Sequence, residues 1–197
     1  MQTKDASRQA KREIRGRILA LRDDLPEEQR QRLGRLIGQR LLDLPEFEKA
    51  VRVAFFASFG SEVPTLETIS RAIDSGKEVY LPVTDRKNRR LDFHRLRDPG
   101  TDLIKGAYGI LEPVPSGAPA PVGSFEVIVT PGVAFDRDGL RVGYGGGFYD
   151  RVFDEAGLNV LRAAMAFDLQ LVEQVPREVT DLPVHVLITE ERVLRFR

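Results

Sequence analysis

Apolar positions in this chain follow two periodicities that take turns along its length. From Ser7 to Arg22, Ile14, Ile18 and Leu21 recur at helical spacing among charges, which predicts a first helix with Ser7 at its cap. A second helix begins at Pro26, a residue suited to the first turn, and runs to about Leu42. VRVAFFASF (51–59) is short, apolar and rich in β-branched and aromatic residues, so it reads as a buried strand. TLETISRAIDSG reads as a helix closed by Gly76, and KEVYLPV as the next strand. LDFHRL (91–96) alternates as a half-exposed strand does, while EVIVTP (126–131), NVLRAAMAF (159–167) and HVLITEE (185–191) read as buried strands.

Strand, helix and strand in repeated succession predict an α/β fold, a mainly parallel sheet covered by helices on both faces. A length of 197 residues suits one domain, 1–197, with the N-terminal helices (7–43) packed on the α/β core. PVPSGAPAPVG (113–123) reads as a surface loop, too short for a domain linker.

Composition narrows the function classes. Apolar residues make up 42% and charged residues 30%, as in a soluble globular chain. No run approaches the ~18 apolar residues of a membrane span. The start MQTKDASRQAKR lacks the apolar segment of a signal peptide, so a cytoplasmic protein without a membrane partner is expected. The absence of cysteine excludes disulfides, thiolate metal sites and cysteine nucleophiles. Thirty basic residues balance thirty acidic ones, which gives no global steering toward polyanions. RKNRRLDFHRLR (86–97) carries six Lys or Arg, but its alternation fits a strand with a charged outer face better than a nucleic-acid site. His94 and His185 belong to no metal-spaced cluster. Glu112 sits among Gly106, Gly109 and Pro113, where a rigid loop is the simpler reading than a general base.

Candidate chemistry concentrates in RVGYGGGFYDR (141–151), where four glycines in five residues precede two aromatics, an aspartate and an arginine. A glycine-rich loop between a strand and a helix aims backbone N–H groups and a helix N-terminus at phosphate oxygens. A tight structural turn is the alternative. The stretch is neither a Walker loop, lacking Gly-Lys-Ser/Thr, nor a dinucleotide fingerprint, because Phe148 stands where a third glycine belongs. Arg141 and Arg151 flank the loop as phosphate partners, and Asp150 is a hard oxygen ligand suited to magnesium. Of Phe148 and Tyr149, one is expected to line a site and the other to pack inward. Lys11 and Arg15, four residues apart, share a helical face and read either as a phosphate clamp or as solvated charges.

Several separated motifs then converge. TPGVAFDRDGLRVGYGGGFYDR (130–151) resembles the long signature of the 5-formyltetrahydrofolate cyclo-ligase (5,10-methenyltetrahydrofolate synthetase) family. KREIR, FGSEVPT, GAYGILEP (106–113) and TDLPVHVLITEE follow that family's order and spacing, so the resemblance spans nearly the whole chain. It implies an ATP- and magnesium-dependent closure of 5-formyltetrahydrofolate to 5,10-methenyltetrahydrofolate, with release of ADP and phosphate. By motif it implies ATP contacts at Lys11, Arg15, Arg141, Gly143, Gly145, Gly146, Gly147 and Tyr149, with Arg141 and Tyr149 in the catalytic role. It implies folate contacts at Phe59, Glu62, Tyr144 and Phe148, and magnesium ligands at Asp150 and Asp181. A monomer is expected, taking a substrate that can carry several glutamates, whose carboxylates arginines such as Arg89 and Arg90 could attract. A sheet like that of sugar-phosphate isomerases and CoA-transferases is expected by analogy alone. Three positions depart from the family pattern: Phe148 replaces a tyrosine, His185 an acidic residue, and Pro64 a position that can be acidic. A relative that binds nucleotide or folate without closing the ring is the alternative function.

Overall fold

The computed structural model describes residues 2–178 and 181–196. Along the chain, α1 (Gln2–Asp23), α2 (Glu27–Leu42) and the short α3 (Pro45–Lys49) precede β1 (Arg52–Ala54). Helix α4 (Leu66–Asp74) leads to β2 (Glu78–Asp85), which turns directly into β3 (Arg90–Leu96). Strands β4 (Leu103–Lys105) and β5 (Leu111–Pro113) pair as a small ribbon. Then come β6 (Val127–Thr130), a second ribbon of β7 (Ala134–Phe135) and β8 (Arg141–Val142), and α5 (Phe148–Ala156). Strands β9 (Leu161–Met165), β10 (Val186–Ile188) and β11 (Val193–Arg195) close the chain.

Seven strands form one sheet in the order β11-β10-β9-β6-β1-β2-β3. The inner five are parallel, and β3 and β11 pair antiparallel at the two edges. Strand alternation sorts side chains to the two faces. Val53, Val127, Val129, Ala163, Met165, Val186 and Ile188 meet Leu33, Ile37 and Leu41 of α2 and Ile69 and Ala72 of α4. Ala54, Ile128, Ala164 and Leu187 meet Val152, Phe153 and Ala156 of α5. Helices thus cover both faces, as the sequence predicts. The remaining helix, α1, lays Ile18 on Val133, Ala134, Leu140 and Val142 of the β7–β8 ribbon.

Numbered among themselves, the parallel strands run 2-1-3-4-5, and the order reverses between β1 and β6. Connections leave these two neighbours toward opposite faces, which opens a crevice beyond their carboxyl ends. Residues 55–65 follow β1 and the stretch 131–147 follows β6, so the topology brings the sequence motifs to one place.

Several expectations are adjusted. The buried strand expected over 51–59 pairs only over 52–54. Phe55 still donates its N–H to Tyr80 O at 2.8 Å, after which Ser58 and Thr65 exchange backbone and hydroxyl hydrogen bonds that draw the chain away from the sheet. The first helix begins at Gln2, ahead of Ser7. The ribbons, α3 and β11 carry no clear periodicity because each is five residues or fewer.

Helix α2 crosses α4 at a glycine. A Cβ on Gly38 would lie 2.1 Å from Thr68 Oγ1 and 3.3 Å from its Cβ, whereas one on exposed Gly16 of α1 meets nothing within 4 Å. Gly38→Val is therefore expected to cost about 1–3 kcal/mol in urea unfolding. Gly16→Ala is expected to gain about 0.5–1 kcal/mol.

Candidate functional site

Asp136 shapes the ribbon that carries the central cation. Its Oδ1 accepts the N–H groups of Asp138 and Leu140 at 3.0 Å each, and Gly139 turns with φ +78. The turn delivers Arg141 inward. Its side chain is only 5% exposed, its Nη2 meets Asp150 Oδ1 at 2.8 Å, and its Nη1 donates to Leu182 O at 3.1 Å. The guanidinium also lies over the Phe153 ring, 4.5 Å from the centroid. Burial opposes this charge, and the carboxylates of Asp150 and Asp181 counteract that.

Between Arg141 and Asp150 runs the glycine loop. Gly145 (φ +96) and Gly147 (φ +66) adopt left-handed conformations that other residues enter only with strain. A Cβ on Gly146 would lie 2.6 Å from the Phe148 ring. Gly147 caps α5 and no side chain satisfies the first amides of that helix, leaving its N-terminus able to receive an anion. Loop carbonyls are held from outside by three arginines. Arg15 Nε donates to Gly143 O at 2.8 Å, Arg89 Nη2 to Gly146 O at 3.4 Å, and Arg151 Nη1 to Gly147 O at 3.3 Å.

Lys11, one turn before Arg15, pairs with Asp181 Oδ2 at 2.6 Å and Glu178 Oε1 at 3.3 Å. The Glu178 N–H donates to the same Asp181 oxygen at 2.8 Å. Asp150 and Asp181 therefore both face Arg141, and each has one carboxylate oxygen with no protein partner among the described residues. Two hard oxygen donors of this kind fit a magnesium ion whose other ligands are phosphate oxygens and water. No group of three or more His, Asp and Glu side chains that could hold a metal occurs among the described residues.

On the β1 side, Glu62 is 4% exposed and its Oε2 accepts the Phe59 N–H at 3.0 Å. Burial pushes this carboxyl up to about 7, against the Phe59 amide, Arg22 and Tyr144, which favour the charged form. Glu62 lines a cavity of about 210 Å³ with Ser58, Gly60 and Pro64. Phe59 and Tyr144 pack at a ring separation of 5.1 Å, which joins this wall to the glycine loop. Tyr149 turns inward onto Phe153, and burial together with Glu62 raises its hydroxyl pKa. Phe148 remains half-buried over Gly146. The structure thus brings Lys11, Arg15, Arg141, the glycine loop, Asp150 and Asp181 together and joins them to Phe59 and Glu62 through Tyr144, whereas Tyr149, expected to contact ATP, packs inward on Phe153.

Two further expectations resolve structurally. Glu112 accepts the Thr84 N–H at 3.1 Å and fills the space beside Gly106, a framework role. His185 Nδ1 accepts the Arg162 N–H at 3.2 Å, while burial and the Arg162 guanidinium lower its pKa. Arg22 and Ser61 escaped the sequence reading. The signal was available for Arg22, which follows Lys11 and Arg15 on one helical face at spacings of four and seven.

Fold and site together define a doubly wound α/β protein with a glycine-rich loop at its switch point. Residues 7–190 match the 5-formyltetrahydrofolate cyclo-ligase family, and the chain belongs to that family. It is 34% identical over 175 residues to the 5-formyltetrahydrofolate cyclo-ligase of Escherichia coli (strain K12), covering 86% of this chain and 94% of that protein. The Haemophilus influenzae enzyme of the same name is 31% identical over 178 residues, covering 89% and 95%. Among solved structures, the Aquifex aeolicus 5,10-methenyltetrahydrofolate synthetase superposes with a TM-score of 0.83 at 36% identity, covering 95% of this chain and 93% of that one. The Mycoplasma pneumoniae synthetase shares the fold, with a TM-score of 0.74 at 17% identity, covering 91% and 98%. The chain is accordingly an enzyme of folate one-carbon metabolism, a ligase.

Burial of Glu62 has a measurable consequence. Its native pKa lies above its ordinary value of 4.5, so its contribution to stability is complete below that value and is lost as pH rises through about 7. Thermal melts of the wild type should fall relative to Glu62→Gln between about pH 5 and 8, by up to about 3 kcal/mol. Parallel curves for the two proteins would remove the assignment.

Proposed function

We propose that this crevice binds ATP with a magnesium ion beside 5-formyltetrahydrofolate and closes the folate ring, releasing ADP and phosphate. The observation that carries the reading is the pair of buried Arg141 with half-buried Asp150 spanning the glycine loop, with Lys11 and Asp181 against it. A formamide carbonyl is a poor electrophile. Attack of its oxygen on the γ-phosphate yields an imidate phosphate, N10 then adds to the formyl carbon, and phosphate leaves as the methenyl bridge forms. Phosphoryl transfer of this kind needs charge neutralisation and alignment more than a covalent nucleophile.

Each residue then has a task. Amides of Gly143, Gly145, Gly146 and Gly147 and the start of α5 cradle the phosphates, and Lys11 and Arg15 add charge from α1. Arg141 is positioned to stabilise charge developing on the transferred group, and Tyr149 forms the adjoining wall. Asp150 and Asp181 would hold the magnesium ion, which withdraws charge from the phosphate oxygens. Phe59, Tyr144 and Phe148 supply the surface against which the folate lies, and Glu62 accepts hydrogen bonds from its aminopyrimidine edge. Such a protein works as a cytoplasmic monomer. No helix among the described residues is long and apolar enough to cross a membrane.

The β2–β3 hairpin refines the expectation for a glutamate tail. Arg89 reaches Gly146 at the rim, whereas Arg90 is engaged by Asp92 at 3.1 Å and Asp85 at 3.5 Å. Arg89→Glu should therefore reduce the preference for polyglutamylated over monoglutamylated substrate, and Arg90→Glu should change it little. Equal ratios in wild type and Arg89→Glu would exclude the tail contact.

The deciding assay follows methenyl-folate absorbance with 5-formyltetrahydrofolate, magnesium and ATP, omitting each in turn. A rise that requires all three supports ring closure. Folate or ATP binding without any rise would favour a binding relative that has lost the reaction. Asp150→Asn is expected to abolish turnover while nucleotide-free folate binding survives in calorimetry, and full activity in that variant would overturn the metal assignment.

A further inference from the structure

Arg22, in the last turn of α1, is 2% exposed, an uncommon burial for a guanidinium that lacks a carboxylate fork. Its Nε donates to Ser61 Oγ at 3.0 Å and its Nη2 to the Tyr144 hydroxyl at 2.5 Å. Ser61 in turn donates its hydroxyl proton to Asp23, which keeps a lone pair turned toward Arg22. Two oxygens thus fix the guanidinium plane. Its remaining arm, Nη1, is buried and has no partner among the described residues.

Glu62 offers the complementary atom. Oε2 is taken by the Phe59 amide, while Oε1 is buried and likewise without a partner among the described residues. Arg22 lies near enough to favour the ionised carboxyl, and the Tyr144 hydroxyl accepts from Arg22 Nη2. Buried polar atoms left unpaired cost free energy, so an oriented donor and an oriented acceptor held together call for a ligand that satisfies both. A phosphate does not suit the pair, because the Glu62 carboxylate would repel it. A ring edge with neighbouring N–H and carbonyl groups does.

We propose that Arg22 Nη1 donates to the ring carbonyl of the pterin, beside the Glu62 carboxylate that accepts from its ring N–H and amino group. This assignment rests on the folate reading above and deepens it. The pyrimidine edge of a pterin presents two donors and then an acceptor, and Glu62 with Arg22 supplies the opposite order. Replacing that carbonyl by an amino group also removes the ring N–H, so Glu62 loses one of its two donors. Arg22 adds a second, independent discrimination, because an amino group would set donor against donor. It is therefore a specificity-determining residue for the group carried at that ring position.

The test is calorimetric binding near pH 8, without nucleotide, of 5-formyltetrahydrofolate and of its 2,4-diamino counterpart. Wild type should prefer the carbonyl compound by about tenfold or more, the scale of a hydrogen bond to a charged group. Arg22→Met should weaken that compound about 10- to 100-fold, leave the diamino compound within about twofold, and leave ATP affinity unchanged. Equal weakening of both compounds would reduce Arg22 to a structural part, and loss of turnover with both affinities intact would place it at the reacting group; either overturns the proposal. Indifference of the wild type to the two compounds overturns it as well, a result that stands even if Arg22→Met does not fold. Failure of the wild type to bind either compound would instead remove the folate reading itself.

Discussion

One guanidinium ties together three segments that are otherwise distant along the chain. Arg141 leaves the β7–β8 ribbon, pairs with Asp150 in the first turn of α5, and donates to the carbonyl of Leu182 beside Asp181. A charge this deeply buried is tolerated only when paired, and removing one partner of such a pair typically costs about 3–5 kcal/mol. The pair sits at the two ends of the glycine loop. With both ends fixed, the left-handed turns at Gly145 and Gly147 are confined to one path, and the conformational freedom that makes glycine costly elsewhere is largely spent on a fixed geometry. Net stability from the ion pair itself is small once desolvation is counted, so its value lies in holding the loop and both acidic residues in register.

The switch in strand order explains why that register becomes a site. Strands β1 and β6 lie side by side, and each sends its following loop over the same end of the sheet from opposite faces. The loop after β1 contributes Phe59 and Glu62, and the one after β6 contributes Arg141 and the glycines. Phe59 against Tyr144 is the seam between them. An apolar, partly enclosed wall thus meets a cationic one, which is what a ligand with a flat ring at one end and phosphate chemistry at the other requires.

Much of this was legible in the sequence because it is written in short-range periodicity. Short apolar runs located the buried strands, alternation the half-exposed one, helical spacing placed Lys11 and Arg15 on one face, and the glycine density between a strand and a helix marked the loop. Strand length was less legible, since the end of β1 is set by a Ser58–Thr65 exchange whose partners look unremarkable as residues. The antiparallel pairing of β3 was hidden for a similar reason, because alternation reports which face is wet and not which way the neighbour runs. Ion pairs were least legible. Lys11 and Asp181 are 170 positions apart, and nothing local in either segment names the other.

Helix α1 shows how a surface-like segment becomes part of a site. Positions 11, 15, 18 and 22 fall on one helical face, and Ile18 among them is buried on the β7–β8 ribbon. That apolar contact sets the rotation of the helix. Once it is set, the cations on either side have no choice of direction: Lys11 meets Asp181, Arg15 meets the glycine loop and Arg22 meets Ser61 and Tyr144. A basic N-terminal segment reads from composition as a solvated helix. Its charges acquire specific partners because a hydrophobic residue at the centre of the same face fixes where they point.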